Sequence, residues 1–81
     1  MARPSKQSLF HPELASFGLV VREIRLEKSI SQEALADLVG LDRSYMGGVE
    51  RGEHNLALIN IKRIANGLGL SIAQLMEKAN L

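Results

Sequence analysis

Glycines that end short amphipathic segments are the feature that most limits what this chain can fold into. Beyond residue 30, apolar residues recur at intervals of three and four positions, and the runs end at Gly40, Gly52 and Gly67. Such intervals are typical of a helix with one buried face. Glycine commonly ends a helix because it adopts the left-handed backbone conformation at little cost. The pattern therefore predicts several short helices that pack on one another.

Capping residues mark the boundaries of these segments. Pro12 suits the first turn of a helix, and Ser31, Asp42 and Ser71 are natural N-caps for later ones. The predicted helices cover about residues 12–28, 32–39, 43–51, 58–67 and a last short segment from residue 72. The alternation in LALINIK is too brief for a strand, because the residues after it return to the helical interval. We therefore predict an all-α fold, a compact five-helix bundle over residues 12–81, which follows a flexible N-terminal arm of residues 1–11.

Length and cysteine content limit the possible function classes. The chain has 81 residues, which is enough for one domain with one small core. It contains no cysteine, which excludes disulfides and thiolate metal sites. The longest apolar run near the N-terminus, FGLVV, is far shorter than the roughly 20 residues that a membrane-spanning helix needs. We expect a soluble, cytoplasmic protein that has no membrane partner.

The net charge alone does not identify a ligand. Ten Lys and Arg residues against nine Asp and Glu residues give a net charge of +1, whereas nucleic-acid-binding domains are usually more basic. Any phosphate-binding surface must therefore be a local patch. The two histidines, His11 and His54, lie far apart and lack metal-ligand spacing. We predict no metal site, no cofactor, no enzymatic activity and no pocket for a small-molecule effector.

Two of the predicted helices, residues 32–39 and 43–51, are joined by a tight turn at Gly40. This spacing matches a helix-turn-helix, in which the second helix can enter the major groove of DNA. The stretch SQEALADLVGLDRSYMGGVERGEHN, followed by LALINIKRIANGLGLSIAQL, closely resembles the phage-repressor-like (Cro/C1, XRE) helix-turn-helix family. The resemblance covers about residues 17–76. Within that family, IRLEKSISQEALA and LDRSYMGGVER look most like the controller proteins of restriction–modification systems.

The resemblance implies a sequence-specific transcriptional regulator that binds a partly palindromic operator in double-stranded DNA as a homodimer. Controller proteins often activate transcription at low occupancy and repress it at high occupancy, and RNA polymerase is the partner that activation implies. The alternatives are a phage-type repressor, an antitoxin, or a protein-interaction module that uses the same helical bundle. A steep fall of duplex affinity with salt distinguishes DNA binding from the interaction module.

Residues of the third predicted helix are the expected DNA readers. Opposite its buried face lie Arg43, Ser44, Gly47, Gly48 and Arg51. Arg43 comes at the start of the helix, where an arginine can read guanine O6 and N7 with two hydrogen bonds. Ser44 can bond to a base edge or a phosphate. Because positions 47 and 48 carry no side chains, we expect the helix backbone to approach the groove closely; the alternative is two packing glycines or a kinked helix end.

Three further residues are predicted to contact the DNA backbone. Gln32 can hold a phosphate together with the N–H groups at the start of its helix; the alternative is a solvated polar residue in a capping turn. Tyr45 offers a hydroxyl for a phosphate and a ring that can pack on the sugar. Asn55, in the loop after the third helix, is a candidate for backbone contact together with Arg51, and the alternative for Asn55 is a purely structural role in a turn. The two cations of the arm, Arg3 and Lys6, either reach a groove or belong to a solubilising tail.

The family resemblance also assigns two structural features. It implies that Arg25 and Glu50 meet as a partly buried ion pair between the first and third helices, which excludes Glu50 from the DNA contacts. It places the dimer interface in the last two helices, where apolar residues exceed what so small a core requires. The predicted interface residues are Leu56, Leu58, Ile59, Leu70, Ile72 and Leu75.

Overall fold

The computed structural model describes residues 10–81. Within that range the chain forms five helices and no strand: α1 (Pro12–Glu27), α2 (Gln32–Val39), α3 (Arg43–Glu50), α4 (Leu58–Gly67) and α5 (Ile72–Lys78). The observed ends of α1 and α3 each come one residue before the predicted ones. Residues 1–9 of the predicted arm, including Arg3 and Lys6, lie outside the described residues.

Helices α2 and α3 form a helix-turn-helix whose ends are capped. The Ser31 hydroxyl accepts a hydrogen bond from the Ala34 N–H at 2.9 Å and so begins α2. After α2 the chain passes through Gly40, whose φ of 75° lies in the left-handed region that glycine adopts without strain. The Leu41 N–H then bonds to the Ala36 carbonyl at 2.9 Å, as in a Schellman turn. These bonds turn the chain sharply into α3.

The core takes side chains from every helix. Helix α1 packs on α3 and α5, α2 packs on α3 and α4, and α4 packs on α5. The largest fully buried side chains are Val21, Leu35, Met46, Val49, Ile64, Leu68 and Leu75. Because Met46 and Val49 face this core, the opposite side of α3 is turned towards solvent at its first turn, where Arg43 and Ser44 are exposed. The packing therefore fixes the direction in which α3 presents its polar residues.

The apolar residues predicted for a dimer interface differ in how much of each is exposed. Leu58 and Ile59, in the first turn of α4, are 69% and 60% exposed. Leu56, Leu70 and Ile72 are half-buried and pack against the core. Leu75 is wholly buried within the single chain.

The prediction is therefore wrong for Leu75, because a core this small needs that side chain to fill it. The surface left for a partner is formed by Leu58 and Ile59 and by the exposed parts of the three half-buried residues. Elsewhere on the described surface, Phe10 before α1 is 62% exposed. Within residues 10–81, no helix has both the length and the apolar character needed to cross a membrane.

Candidate nucleic-acid interface

A groove of about 510 Å³ lies between the start of α2 and the outer side of α3. It brings together most of the residues that the sequence predicted for DNA contact. The residues that line it are Gln32, Asp42, Arg43, Ser44, Gly47 and Arg51. Asp42 is the one lining residue that was predicted only as a helix cap. The groove is therefore of mixed charge, with two arginines and one carboxylate on its walls.

Arg43, in the first turn of α3, is the cation best placed to enter a DNA groove. Its side chain is exposed, and its guanidinium makes no ion pair with any residue in the range 10–81. Arg43 is the first residue of α3, and the N-terminal residues of a recognition helix are the ones that contact base edges. The structure therefore leaves the Arg43 guanidinium exposed at the first turn of α3, and base reading by Arg43 stays a prediction.

The N-cap of α3 occupies part of the hydrogen-bonding capacity of Ser44. The Asp42 carboxylate accepts bonds from the Ser44 N–H at 3.1 Å and from the Ser44 hydroxyl. The hydroxyl bond and the backbone N–H bonds of Ser44 and Tyr45 lower the pKa of Asp42. While the Ser44 proton is directed to Asp42, this hydroxyl is available to DNA as an acceptor. Its natural partners are then base amino groups, since phosphate oxygens donate no hydrogen bond.

Arg51 lies at the other end of the groove and forms an ion pair with Glu53. Arg51 Nε and Nη2 donate to the two carboxylate oxygens of Glu53 at 2.9 and 3.2 Å. Both side chains remain more than half exposed, at 61% and 55%. The hydrogen bond raises the pKa of Arg51 and lowers that of Glu53. Arg51 Nη1 takes no part in these bonds, so a phosphate can bind either at Nη1 beside the Glu53 carboxylate or by exchange for that carboxylate.

Behind the groove, Gln32 is joined to a buried ion pair. Arg25 Nε and Nη2 donate to Glu50 at 2.7 and 3.0 Å, and the two side chains are only 9% and 2% exposed. Arg25 also donates to the Ile30 carbonyl at 2.9 Å. Gln32 Nε2 donates to Glu50 Oε1 at 3.1 Å. The hydrogen bond to Glu50 raises the pKa of Arg25, and the network ties α1, the start of α2 and the end of α3 together.

The two glycines of α3 have different surroundings. Gly47 lines the groove, and a Cβ atom built on it would lie 3.1 Å from Arg51 Nη1 and 3.2 Å from Gln32 Oε1. Gly48 faces the following loop, where such an atom would overlap the ring of His54 and lie 2.6 Å from its Cδ2. The prediction that both glycines lie on the face presented to DNA is therefore wrong for Gly48, which is covered by His54. The helical turn of about 100° between neighbours carries it away from Gly47.

Tyr45 is held by contacts within the protein. Its ring stacks on the ring of His54, with centroids 4.5 Å apart and 13° between the planes. Its hydroxyl accepts a hydrogen bond from Asn60 Nδ2 at 3.4 Å. The Tyr45 O–H remains available as a donor, because a phenol can accept one bond while it donates another. The predicted phosphate contact by Tyr45 is compatible with this arrangement.

Asn55 lies outside the groove. It lines a separate cleft of about 280 Å³ with His11, Glu13 and Leu14, at the first turn of α1. Any contact that it makes with a duplex would involve a different part of the DNA from that reached by Arg43. Within residues 10–81, no group of three His, Cys, Asp or Glu side chains is placed to bind a metal ion.

Three residues that contact the site, Asp42, Glu53 and His54, had no predicted role in it. The signal for Asp42 was present, because an N-cap lies beside the first turn that it caps. Glu53 lies two residues from Arg51, which made a contact between them conceivable. His54 gave no usable signal, since its position depends on how the loop folds back on α3. The bond from the Glu53 N–H to the Gly48 carbonyl, at 2.9 Å, fixes that loop.

Comparisons with known proteins agree with this geometry. A family model described as helix-turn-helix matches residues 21–75. The control protein C.MunI of Mycoplasma sp is 38% identical over 62 residues, which cover 75% of this chain and 84% of that protein. The control protein C.BamHI of Bacillus amyloliquefaciens is 45% identical over 62 residues, which cover 75% of this chain and 76% of that protein. The crystal structure of the restriction–modification controller protein C.AhdI from Aeromonas hydrophila has a TM-score of 0.77 and 49% identity, over 80% of this chain and 98% of that one.

Proposed function

The chain belongs to the helix-turn-helix family, and we propose that it is the controller protein of a restriction–modification system, a dimer that regulates transcription from a partly palindromic operator. The family match and the similarity to C.AhdI confirm the all-α fold and the family that the sequence predicted. The names of the similar control proteins support the finer assignment. The observation that carries the DNA-binding mode is the exposed guanidinium of Arg43 at the first turn of α3.

Arg43 is the proposed base reader. A guanidinium can donate two parallel hydrogen bonds to guanine O6 and N7, and such a pair discriminates against other bases by about 1–3 kcal/mol. No carboxylate in the range 10–81 has to be displaced before Arg43 can make these bonds. Gly47 assists, because the groove wall at this position carries no side chain that would hold the duplex away. Ser44 adds an acceptor for a base amino group.

The other residues of the site are proposed to hold the DNA backbone. The start of α2 offers N–H groups and the positive end of the helix dipole, beside the half-buried Gln32. The hydrogen bond from Gln32 Nε2 to Glu50 fixes the orientation of the Gln32 amide before DNA binds. Tyr45 donates its O–H, Arg51 exchanges Glu53 for a phosphate, and Asn55 contacts the backbone outside the groove. These contacts set affinity and register, whereas Arg43 sets the sequence preference.

Dimerisation is proposed through the exposed face of α4. Leu58 and Ile59 lie side by side there, and two-fold pairing would bury them against the same residues of a second copy. The pair of recognition helices would then meet half-sites about 34 Å apart, one turn of DNA. Occupancy itself is the proposed signal: contact with RNA polymerase beside a promoter activates, and a dimer across the promoter represses. Protein concentration sets which site is filled.

Selection of bound duplexes from a random pool tests the proposal directly. We expect a partly palindromic site with guanine at matching positions in both halves, since each Arg43 of a dimer reads one half. Log affinity for that site should fall linearly with log salt, by about 0.9 for each phosphate engaged. A pool that yields no preferred sequence, or an affinity that does not change with salt, would refute sequence-specific DNA binding.

Sedimentation of surface variants tests the dimer. We expect Leu58→Asp to convert a dimer to a monomer, because a buried, unpaired carboxylate is costly. The matched control is Leu26→Asp on α1, because Leu26 is also an exposed leucine, at 51%. This variant should remain a dimer. If both variants sediment as the wild-type protein does, the interface lies elsewhere or the chain is a monomer.

A further inference from the structure

The side chain of His54 fills the space that Gly48 leaves open on α3. A Cβ atom at position 48 would overlap Nε2 of His54 and would lie 2.6 Å from its Cδ2 and 3.2 Å from its Cε1. The loop brings His54 to this point because the Glu53 N–H bonds to the Gly48 carbonyl at 2.9 Å. Any residue larger than glycine at position 48 must therefore displace the imidazole.

The same imidazole also contacts Tyr45, which lies nearly one turn earlier in α3. The ring centroids are 4.5 Å apart and the planes differ by 13°, which is a favourable stacked arrangement. At its other end, the Tyr45 hydroxyl accepts a bond from Asn60 of α4 at 3.4 Å. Tyr45 is thus held on its face by the loop and at its hydroxyl by α4, before any DNA is present.

We infer that His54 is a positioning residue for DNA binding, which acts by holding Tyr45 in the orientation that meets the duplex. This inference rests on the proposed function of the groove. Tyr45 directly follows Arg43 and Ser44, and its O–H remains available as a donor to a phosphate. A side chain that is ordered beforehand loses less rotamer freedom on binding. Without the imidazole, DNA itself must order Tyr45, and affinity falls by about two- to tenfold.

Tyrosine fluorescence tests the stack in the protein without DNA. Tyr45 is the single tyrosine of the chain, and there is no tryptophan, so the signal reports on this ring alone. We expect His54→Ala to lower the anisotropy of Tyr45 and to increase its quenching by acrylamide. Gly48→Ala should do the same, because its Cβ expels the imidazole. His54→Phe should keep the wild-type values, because a phenyl ring can occupy the same place.

The matched control is His11→Ala, which removes the other histidine of the chain. His11 is exposed and precedes α1, so the variant should leave the fluorescence of Tyr45 unchanged. Equal anisotropy and quenching in the wild-type protein and in His54→Ala would overturn the inference, because Tyr45 would then be held by other contacts.

Affinity for the duplex selected by the wild-type protein separates positioning from direct contact. We expect His54→Ala to bind about two- to tenfold more weakly with the same salt dependence, and His54→Phe to bind within about twofold of the wild-type protein. If His54 instead held a phosphate as a cation, His54→Ala would lower the slope of log affinity against log salt by about 0.9. His54→Phe would then be as weak as His54→Ala. That result, or an unchanged affinity in His54→Ala, would overturn the positioning role.

Failure of the proposed function gives a different result. A wild-type protein that binds no duplex in a salt-dependent manner refutes DNA binding itself, and the inference falls with it, whatever the fluorescence shows. A wild-type protein that binds duplex while His54→Ala binds equally well refutes the inference alone. A melting temperature for each variant completes the comparison, since loss of fold lowers affinity in His54→Ala and in His54→Phe alike.

Discussion

Two arginine–carboxylate pairs lie at the C-terminal end of α3, and they have nearly the same geometry. Arg25 bonds to Glu50 at 2.7 and 3.0 Å, and Arg51 bonds to Glu53 at 2.9 and 3.2 Å. Burial separates them. The first pair is 9% and 2% exposed, whereas the second is 61% and 55% exposed. The same two hydrogen bonds therefore have opposite consequences.

The buried pair cannot exchange partners. Its carboxylate also receives the Gln32 amide, and its guanidinium also donates to the Ile30 carbonyl, so removal of one member leaves the other charged and without water. The exposed pair is screened by solvent and contributes little to stability. It can release Arg51 to a phosphate at low cost. Burial thus makes one pair a part of the fold and leaves the other available for binding.

The largest effect is expected when the buried pair loses its negative charge. Glu50→Gln keeps the shape of the side chain but leaves the Arg25 guanidinium buried without a counter-ion, which should cost about 3–5 kcal/mol. For a domain of this size, that corresponds to a fall in Tm of at least ~12 °C. Thermal unfolding followed by circular dichroism measures it. Glu53→Gln, the matched change in the exposed pair, should leave Tm nearly unchanged, and equal shifts in the two variants would contradict the role of burial.

Loss of Arg43 should affect DNA binding and leave the fold intact. Arg43→Ala removes the two bonds to guanine, so discrimination between the selected site and a site changed at that guanine should fall by about 5- to 150-fold. Tm should stay within error, because the side chain is exposed and packs on nothing in the core. Competition binding with the two duplexes measures the ratio. Arg43→Lys keeps the charge without the planar fork, so it should keep the salt slope while discrimination is lost.

A smaller change is expected when the exposed pair is released. In the proposed complex of the wild-type protein, Arg51 gives up Glu53 as it takes a phosphate, and the carboxylate then recruits a cation from solution. Glu53→Gln removes this exchange, so the duplex should bind more tightly and the salt slope should steepen by about 0.9. Affinity measured at several salt concentrations checks both changes. An unchanged slope would contradict the proposed exchange of Glu53 for a phosphate at Arg51.

The sequence predicted local structure well and long-range contacts poorly. Ser31, Gly40 and Asp42 defined the ends of α2 and α3, because caps and left-handed glycines act within one helical turn. The pairing of Arg25 with Glu50 was implied by the family resemblance, since residues 25 positions apart have no local pattern that joins them. The chain alone could not reveal the stack of His54 on Tyr45, which depends on how a loop returns to its helix.

Two predictions, for Gly48 and for Leu75, were wrong because the sequence does not show which neighbours cover a residue. Both glycines of α3 looked equivalent in sequence, but a rotation of about 100° directs Gly47 to the groove and Gly48 to His54. Leu75 and Leu58 both looked like interface residues, yet one is wholly buried and the other is 69% exposed. Apolar periodicity identifies the buried face of a helix, but it does not show which of the apolar residues next to that face are also buried in the five-helix core.

The smallest expected effect is a pH-dependent change in Tm that comes from Asp42, the N-cap of α3. Hydrogen bonds from Ser44 and from the Tyr45 N–H lower the pKa of Asp42, so the folded state binds fewer protons than the unfolded state in the acid range. Stability from this cap is therefore fully present above the unfolded pKa and is lost as the pH falls through the folded pKa.

Asp42→Asn does not titrate, so the wild-type Tm should exceed the variant Tm at neutral pH by a small margin that shrinks in acid. Thermal unfolding from neutral pH down to about pH 2 measures the margin. A margin that stays constant over the whole range would mean that the charge of Asp42 adds nothing to the stability of α3 beyond the hydrogen bonds that a neutral cap also accepts.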